Sequence, residues 1–275
     1  MSVFSQLRNR VLEWRHGIPL PASETNVSPI FQSWHQFDTS FNKWLPLDKP
    51  QEPSQESSSA DTTPAEYSKL VLATWNVDAG APDSATRISS IISHLKASVP
   101  PVNIIFLQEV SRTALSTILA TPWVREHWYS SEADTTNWGV RPFATMTLVS
   151  RSKLRDNTLG PIWRVKYPSR FERDALCCDV FLPSPKSGSE SASPSRVRLM
   201  NVHLDSLPIQ PSKRPIQLSI IASYLRAAGR GLVAGDFNPV LPEDNALIGT
   251  NELKDVWVEL RPEEDGFTKL KGPSA

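Results

Sequence analysis

The chain has 275 residues with 29 basic and 29 acidic side chains, a formal net charge of zero. No global field therefore draws it to nucleic acid, and any such attraction has to come from a local patch. Its two cysteines are the neighbours Cys177 and Cys178, which excludes a disulfide framework and a cysteine-rich metal site, because adjacent strand residues face opposite ways.

That cysteine usage fits a reducing compartment. Met1 to Leu12 is interrupted by Arg8 and Arg10 and lacks the apolar core of a signal peptide. No apolar run approaches the length of a membrane span, so the expectation is an intracellular protein, nuclear and/or cytoplasmic, with no membrane association. The length suits one large α/β domain with extensions, or two small domains. Proline is abundant at 24 residues while glycine, at 11, is scarce; this predicts a disordered, proline-bearing segment joined to an ordinary folded core.

Residues 1–66 are that segment in this reading, a largely disordered Pro/Ser-rich extension, with the folded domain spanning 67–275. Lys49 to Pro64 is nearly all Pro, Gln, Glu, Ser, Asp and Thr, too polar to bury the surface that ordering requires. Phe31, Trp34, Phe37, Phe41 and Trp44 precede it in polar sequence, either packing loosely on the core or docking a partner.

After Tyr67 the texture changes. Leu70 to Ala73 is an apolar run of strand length. Ser84 to Leu95 sets Ile88, Ile91, Ile92 and Leu95 at helical spacing behind an Asp83 or Ser84 cap. Ile104 to Leu107 predicts a buried strand and Arg112 to Leu119 a short helix. Ala144–Val149, Ala175–Leu182 and Val197–Val202 predict further strands, with Pro183 to Ser195 a long hairpin loop. A helix runs from Pro215, suited to a first helical position, to Gly229, suited to the position past the end. Leu232 to Ala234 is the last strand. Helices and strands alternate, but the hairpin excludes a purely parallel sheet.

The residues just past the strands carry the chemistry. The first strand runs into Thr74-Trp75-Asn76-Val77-Asp78 and the second into Gln108-Glu109. The later ones run into His203-Leu204-Asp205-Ser206 and Gly235-Asp236-Phe237-Asn238. Each group alone has an ordinary reading: a turn Asn, a solvated Glu, a hydrogen-bonded core His, a Gly-Asp-Phe-Asn turn. Together they place oxygen and imidazole donors where four separate strands stop, a sound way to build a site. Glu109 beside Asn76 suits a hard cation such as Mg²⁺, held by few carboxylates plus water and phosphate. Asp236 suits a base toward attacking water. Asn76, Asn238 and His203 suit the charge that grows on phosphoryl oxygens.

These four segments resemble the successive motifs of the endonuclease/exonuclease/phosphatase superfamily, and most closely its 5′-tyrosyl-DNA phosphodiesterases. The resemblance implies a four-layer α/β/β/α sandwich, two packed mixed sheets with outer helices. It implies Mg²⁺ (or Mn²⁺) held through Glu109 and Asn76. It further implies a catalytic set of Asn76, His203, Asp236 and Asn238 hydrolysing a phosphodiester, DNA or another. Arg170 and Arg173, with Trp75 and Asp78 flanking Asn76, are the substrate-binding expectation. Nuclear residence would follow from a DNA-repair role, although no Lys/Arg-rich import run is present.

The family's closing Ser-Asp-His element has no counterpart, since no histidine follows His203. The expectation is a sandwich lacking its last strands, with reduced catalysis. Other superfamily activities remain open: an abasic endonuclease, a deadenylase, a phosphoinositide phosphatase, or a binding protein without turnover. A monomer is expected where nothing in the sequence fixes the oligomeric state.

Overall fold

A computed structural model describes residues 17–21, 27–47, 69–154, 158–182 and 194–266. Three short strands open it: β1 (Pro29–Gln32), β2 (His35–Asp38) and β3 (Lys43–Pro46). Next come β4 (Leu72–Asn76), α1 (Ser84–Lys96), β5 (Ile104–Ser111), α2 (Arg112–Ala120), α3 (Pro122–His127), β6 (Trp128–Ser130) and β7 (Phe143–Ser150). The remaining elements are β8 (Leu159–Lys166), β9 (Asp174–Leu182), β10 (Ser195–His203), α4 (Arg214–Ala228), β11 (Gly231–Asp236), α5 (Leu247–Thr250) and α6 (Val256–Leu260).

The strands form two mixed sheets, β1-β8-β9-β10-β11 and β3-β2-β6-β7-β5-β4. Strand alternation divides the apolar residues among three layers of packing. Ile105, Leu107, Met146 and Leu148 face outward onto Ile88, Ile92, Leu115 and Ile118 of α1 and α2. Trp163, Met200 and Val202 face outward onto Leu218, Ile221 and Leu225 of α4. Ile104, Phe106 and Val149 of one sheet meet Ile162, Leu176, Cys178 and Leu199 of the other between them. The result is the expected helix–sheet–sheet–helix sandwich. Cys177 and Cys178 go to opposite faces of β9, and both are free.

The local signals work as chemistry predicts. Asp83 caps α1 through the Thr86 amide, and Gly229 ends α4 in the left-handed region. β9 and β10 pair antiparallel from Leu182↔Ser195, on either side of residues 183–193, which lie outside the described residues.

The expectation of a disordered extension does not hold for residues 27–47. β1 pairs with β8, and β2 pairs with β6 and β3, so this segment completes one edge of each sheet. Its aromatics supply the reason: buried Trp34 donates from Nε1 to the Gly160 carbonyl at 3.0 Å, and Trp44 to the Leu119 carbonyl at 3.1 Å. The polar stretch after Asp48 lies outside the described residues.

At the opposite edges stand β4 and β11, and among the described residues nothing pairs with their outer sides. Both are only half-buried, in contrast to the largely buried β5 and β10 beside them. Among the described residues, no helix is long and apolar enough to cross a membrane.

Candidate active site

The site lies at one end of the cleft between the sheets. β10 and β11 run parallel with His203 opposite Asp236, and β4 and β5 run parallel with Asn76 opposite Gln108. In β10, Leu199, Asn201 and His203 share the inward face, since Met200 and Val202 belong to the outer one. In β4, Trp75 joins the core under α1 and meets His94 edge-on, leaving Asn76 on the inward face. Trp75 is therefore a packing residue rather than part of the expected substrate surface.

β5 needs a special device. Between Leu107 and Val110 its pairing with β7 slips by one residue, and such a bulge lets two successive side chains share a face. Gln108 and Glu109 are those residues. Glu109 itself adopts φ of 57°, a left-handed conformation that a non-glycine residue holds only when its surroundings fix it. The buried Gln108 amide bonds Asn201 Oδ1 at 2.8 Å and Thr74 Oγ1 at 3.1 Å. Asn201 in turn donates to the Met146 carbonyl at 2.9 Å. This polar stitch locks the two sheets together directly beneath the site.

Gly235 serves the other side. A Cβ there would stand 2.0 Å from the Val202 carbonyl oxygen, and its φ is 141°. Only glycine lets β11 approach β10 this closely just before it delivers Asp236.

At the centre, the Asn76 amide nitrogen donates to Glu109 Oε1 at 2.9 Å and to Asp236 Oδ2 at 2.8 Å. Its two hydrogens thus tie carboxylates from opposite sheets. The Ala79 amide holds the other oxygen of Glu109 at 2.9 Å. His203 Nε2 lies 3.7 Å from Glu109 and 3.8 Å from Asp236. It is buried and has no hydrogen-bond partner. Its Nδ1 meets Arg173 Nη1 at 2.5 Å. Burial, reinforced by the Arg173 charge, lowers the His203 pKa to about 4, so the imidazole is neutral at pH 7.

Other expected residues are placed differently. Asn238, at φ of 46°, donates its side-chain amide to the Leu204 carbonyl and its backbone N–H to Asp236 Oδ1. It holds the turn that aims Asp236. The Asp78 backbone N–H donates to Asn76 Oδ1, and the Asp78 side chain closes its own turn at Gly80. Arg170 turns onto the carbonyls of Gln210 and Pro211, a loop tie rather than a position at the cluster. Arg173 alone of the two arginines reaches it.

The sequence reading missed a pocket beside His203. Phe143, Phe171, Arg173, Arg141 and Thr145 line it, and Asp174 belongs to its wall. Phe143 stacks on the His203 ring, and the Arg173 guanidinium lies over Phe143 at 4.8 Å. Arg173-Asp174 could be seen as charged residues in the sequence, but no spacing signalled that Phe143, thirty positions earlier, would lie under them.

Glu109, His203 and Asp236 each offer a ligand atom within 4.8 Å of the others. Two carboxylates, partly open to solvent, provide the hard oxygen donors that Mg²⁺ or Mn²⁺ takes, so the residues present fit a divalent cation. Two packed sheets that gather carboxylates, an amide and an imidazole at one end form a candidate site for a divalent cation. The Endonuclease/Exonuclease/phosphatase family model matches residues 73–244, more than half of the chain, and the chain belongs to that family. Members of the family hydrolyse phosphoester bonds, typically with a divalent metal. A comparison with curated proteins finds no match.

Proposed function

We propose that the chain is a Mg²⁺- or Mn²⁺-dependent phosphodiesterase whose substrate is a 5′-phosphotyrosyl end of DNA. The single observation that carries the phosphodiesterase reading is the convergence of Asn76, Glu109, His203 and Asp236, from four strands of two sheets, around one centre. The tyrosyl preference rests on the form of the motifs, Trp75-Asn76-Val77-Asp78 and His203-Leu204-Asp205-Ser206. The apolar pocket beside His203, walled by Phe143 and Phe171, suits an aromatic leaving group.

A bound cation would supply Lewis-acid neutralisation of the phosphoryl charge, with Glu109 and Asp236 as the residues to hold it. Asp236 accepts the proton of the attacking water as its oxygen bonds phosphorus. The bond from phosphorus to the phenolic oxygen breaks, and the phenolate leaves to take a proton from solvent. His203 Nε2, buried and without a partner, supplies a donor for a phosphoryl oxygen. Asn76 keeps two mutually repelling carboxylates at a fixed separation.

The test is a substrate panel with the purified protein and Mg²⁺: 5′-phosphotyrosyl oligonucleotide, abasic duplex, poly(A) and a phosphoinositide. Release of tyrosine from the first, lost with EDTA and with Asp236→Ala, is expected. Cleavage of abasic DNA with the tyrosyl substrate left intact would overturn the substrate assignment. Absence of any hydrolysis would favour a binding protein.

A further inference from the structure

We infer that Arg173 is a positioning residue: its hydrogen bond to Nδ1 fixes His203 in the Nε2–H tautomer and aims that proton into the site. The catalytic consequence rests on the phosphodiesterase reading above, but the tautomer does not.

A guanidinium carries only donors. At 2.5 Å from Arg173 Nη1, His203 Nδ1 must therefore be the acceptor and hold a lone pair. A neutral imidazole has one proton, so it sits on Nε2. That nitrogen faces Glu109 and Asp236 without a hydrogen-bond partner. A protonated ring nitrogen has no lone pair for a cation. The same geometry thus withdraws His203 from metal ligation and turns it into a donor for an anionic oxygen. Cation and phosphate then have separate owners, Glu109 and Asp236 for one, His203 for the other.

The surroundings are built to hold this arrangement. Arg173 lies over the rings of Phe143 at 4.8 Å and Phe171 at 5.7 Å, and Phe143 stacks on the imidazole. The segment bearing Arg173 is tied to the one bearing His203. The Tyr167 hydroxyl lies 3.0 Å from the His203 carbonyl, Ser169 donates to Asp205, and the Arg173 N–H donates back to Ser169 Oγ at 3.0 Å. The Arg170 amide also donates to Asp205, and Asp205 accepts from buried Gln217. These supports explain why Asp205 is buried in a motif whose histidine does the chemistry. Residues locked this way stay within the narrow tolerance that a working donor needs.

Long-range ¹H–¹⁵N correlation spectra of the full chain, labelled in histidine and kept metal-free, test the tautomer directly. His203 should show an unprotonated Nδ1 and a protonated Nε2 at pH 7; the reverse pattern, or a doubly protonated ring, overturns the inference. Loss of the signal in His203→Gln assigns it, and should that variant fail to fold, replacing the other four histidines assigns it by elimination. Arg173→Met should mix the tautomers and Arg173→Lys should retain the Nε2–H form in larger part.

Kinetics supply the second arm. Arg173→Met should lower kcat about 10²-fold with KM moved less than about threefold, the pattern of lost transition-state stabilisation. Arg173→Met added to His203→Gln should cost nothing more, because Arg173 acts through the ring. A double variant slower by the full Arg173 factor would show that the guanidinium touches substrate, and would overturn the positioning role. If the chain hydrolyses no phosphodiester, the proposed function falls, while the spectra still decide the tautomer.

Discussion

Two charged clusters occupy the space between the sheets, and they are built on opposite rules. In one, Arg164 binds Glu132 at 2.6 Å and Asp174 at 2.9 Å, and Arg141 binds Asp174 at 2.6 Å. All four side chains are buried, and the two charges of each sign cancel. In the other, Glu109 and Asp236 keep 22% and 28% of their side-chain surface open. One neutral amide bridges them, and a buried imidazole nitrogen lacks a partner. Identical residue types are closed by mutual pairing in the first and left short of partners in the second. The missing counter-charge marks the site, because two partly open carboxylates with no cationic side chain paired to them among the described residues are the hard donors that a divalent cation takes.

Removing one carboxylate from each cluster breaks the comparison most sharply. Asp174→Ala leaves Arg141 without a carboxylate in the interior and Arg164 with Glu132 alone, and should destabilise the protein by about 3–5 kcal/mol. Asp236→Ala should change stability little, since it relieves two crowded carboxylates, while lowering kcat by at least about 10²–10³-fold. Denaturant melts and single-turnover rates measure both. Equal destabilisation by the two substitutions would erase the distinction between the clusters.

Acid separates them next. His203 titrates at about 4 when folded, below its ordinary value of 6.5, because burial and Arg173 disfavour the charged ring. The unfolded chain thus binds the proton first. Its contribution to stability is complete above pH 6.5 and is lost as pH falls toward 4. In metal-free protein this amounts to about 3 kcal/mol across that window. His203→Gln should flatten that part of the stability profile, measured by urea titration at a series of pH values. An unchanged slope would mean that His203 is already charged in the folded protein.

The open cluster was legible in the sequence, and the closed one was not. Asn76, Glu109, His203 and Asp236 each come after an apolar run, so chain order alone suggested convergence at the strand ends. Glu109 was found despite its bulge, because one extra residue leaves the motif intact. Arg164 and Asp174 carried no signal, since pairing across a sheet leaves no local signature. β8 went unseen for a related reason. Gly160-Pro161 suggests a turn, yet Gly160 is there because a Cβ would lie 2.5 Å from the Asp179 carbonyl oxygen. β1 to β3 were hidden by their brevity and polar flanks, their burial coming from partners distant in sequence, 126 residues away for Trp34 and Gly160 and 75 for Trp44 and Leu119. Trp75 and Arg170 lie within or near motifs, but adjacency in sequence did not decide facing. Alternation sends Trp75 under α1, and a loop draws Arg170 away.

The smallest effect discriminates most finely. A ligand that binds only the folded chain stabilises it by about 1.4 kcal/mol at ten times its Kd, so Mg²⁺ at that excess should raise Tm by a few degrees. Glu109→Gln and Asp236→Asn should each abolish the rise, because both remove an anionic oxygen from the centre. His203→Ala should keep it, since a ring protonated at Nε2 holds no lone pair for the ion. Substitutions in the closed cluster should keep it wherever the protein still folds. Loss of the Mg²⁺ response in His203→Ala would make the imidazole a ligand, and the separate ownership of cation and phosphate would have to be abandoned.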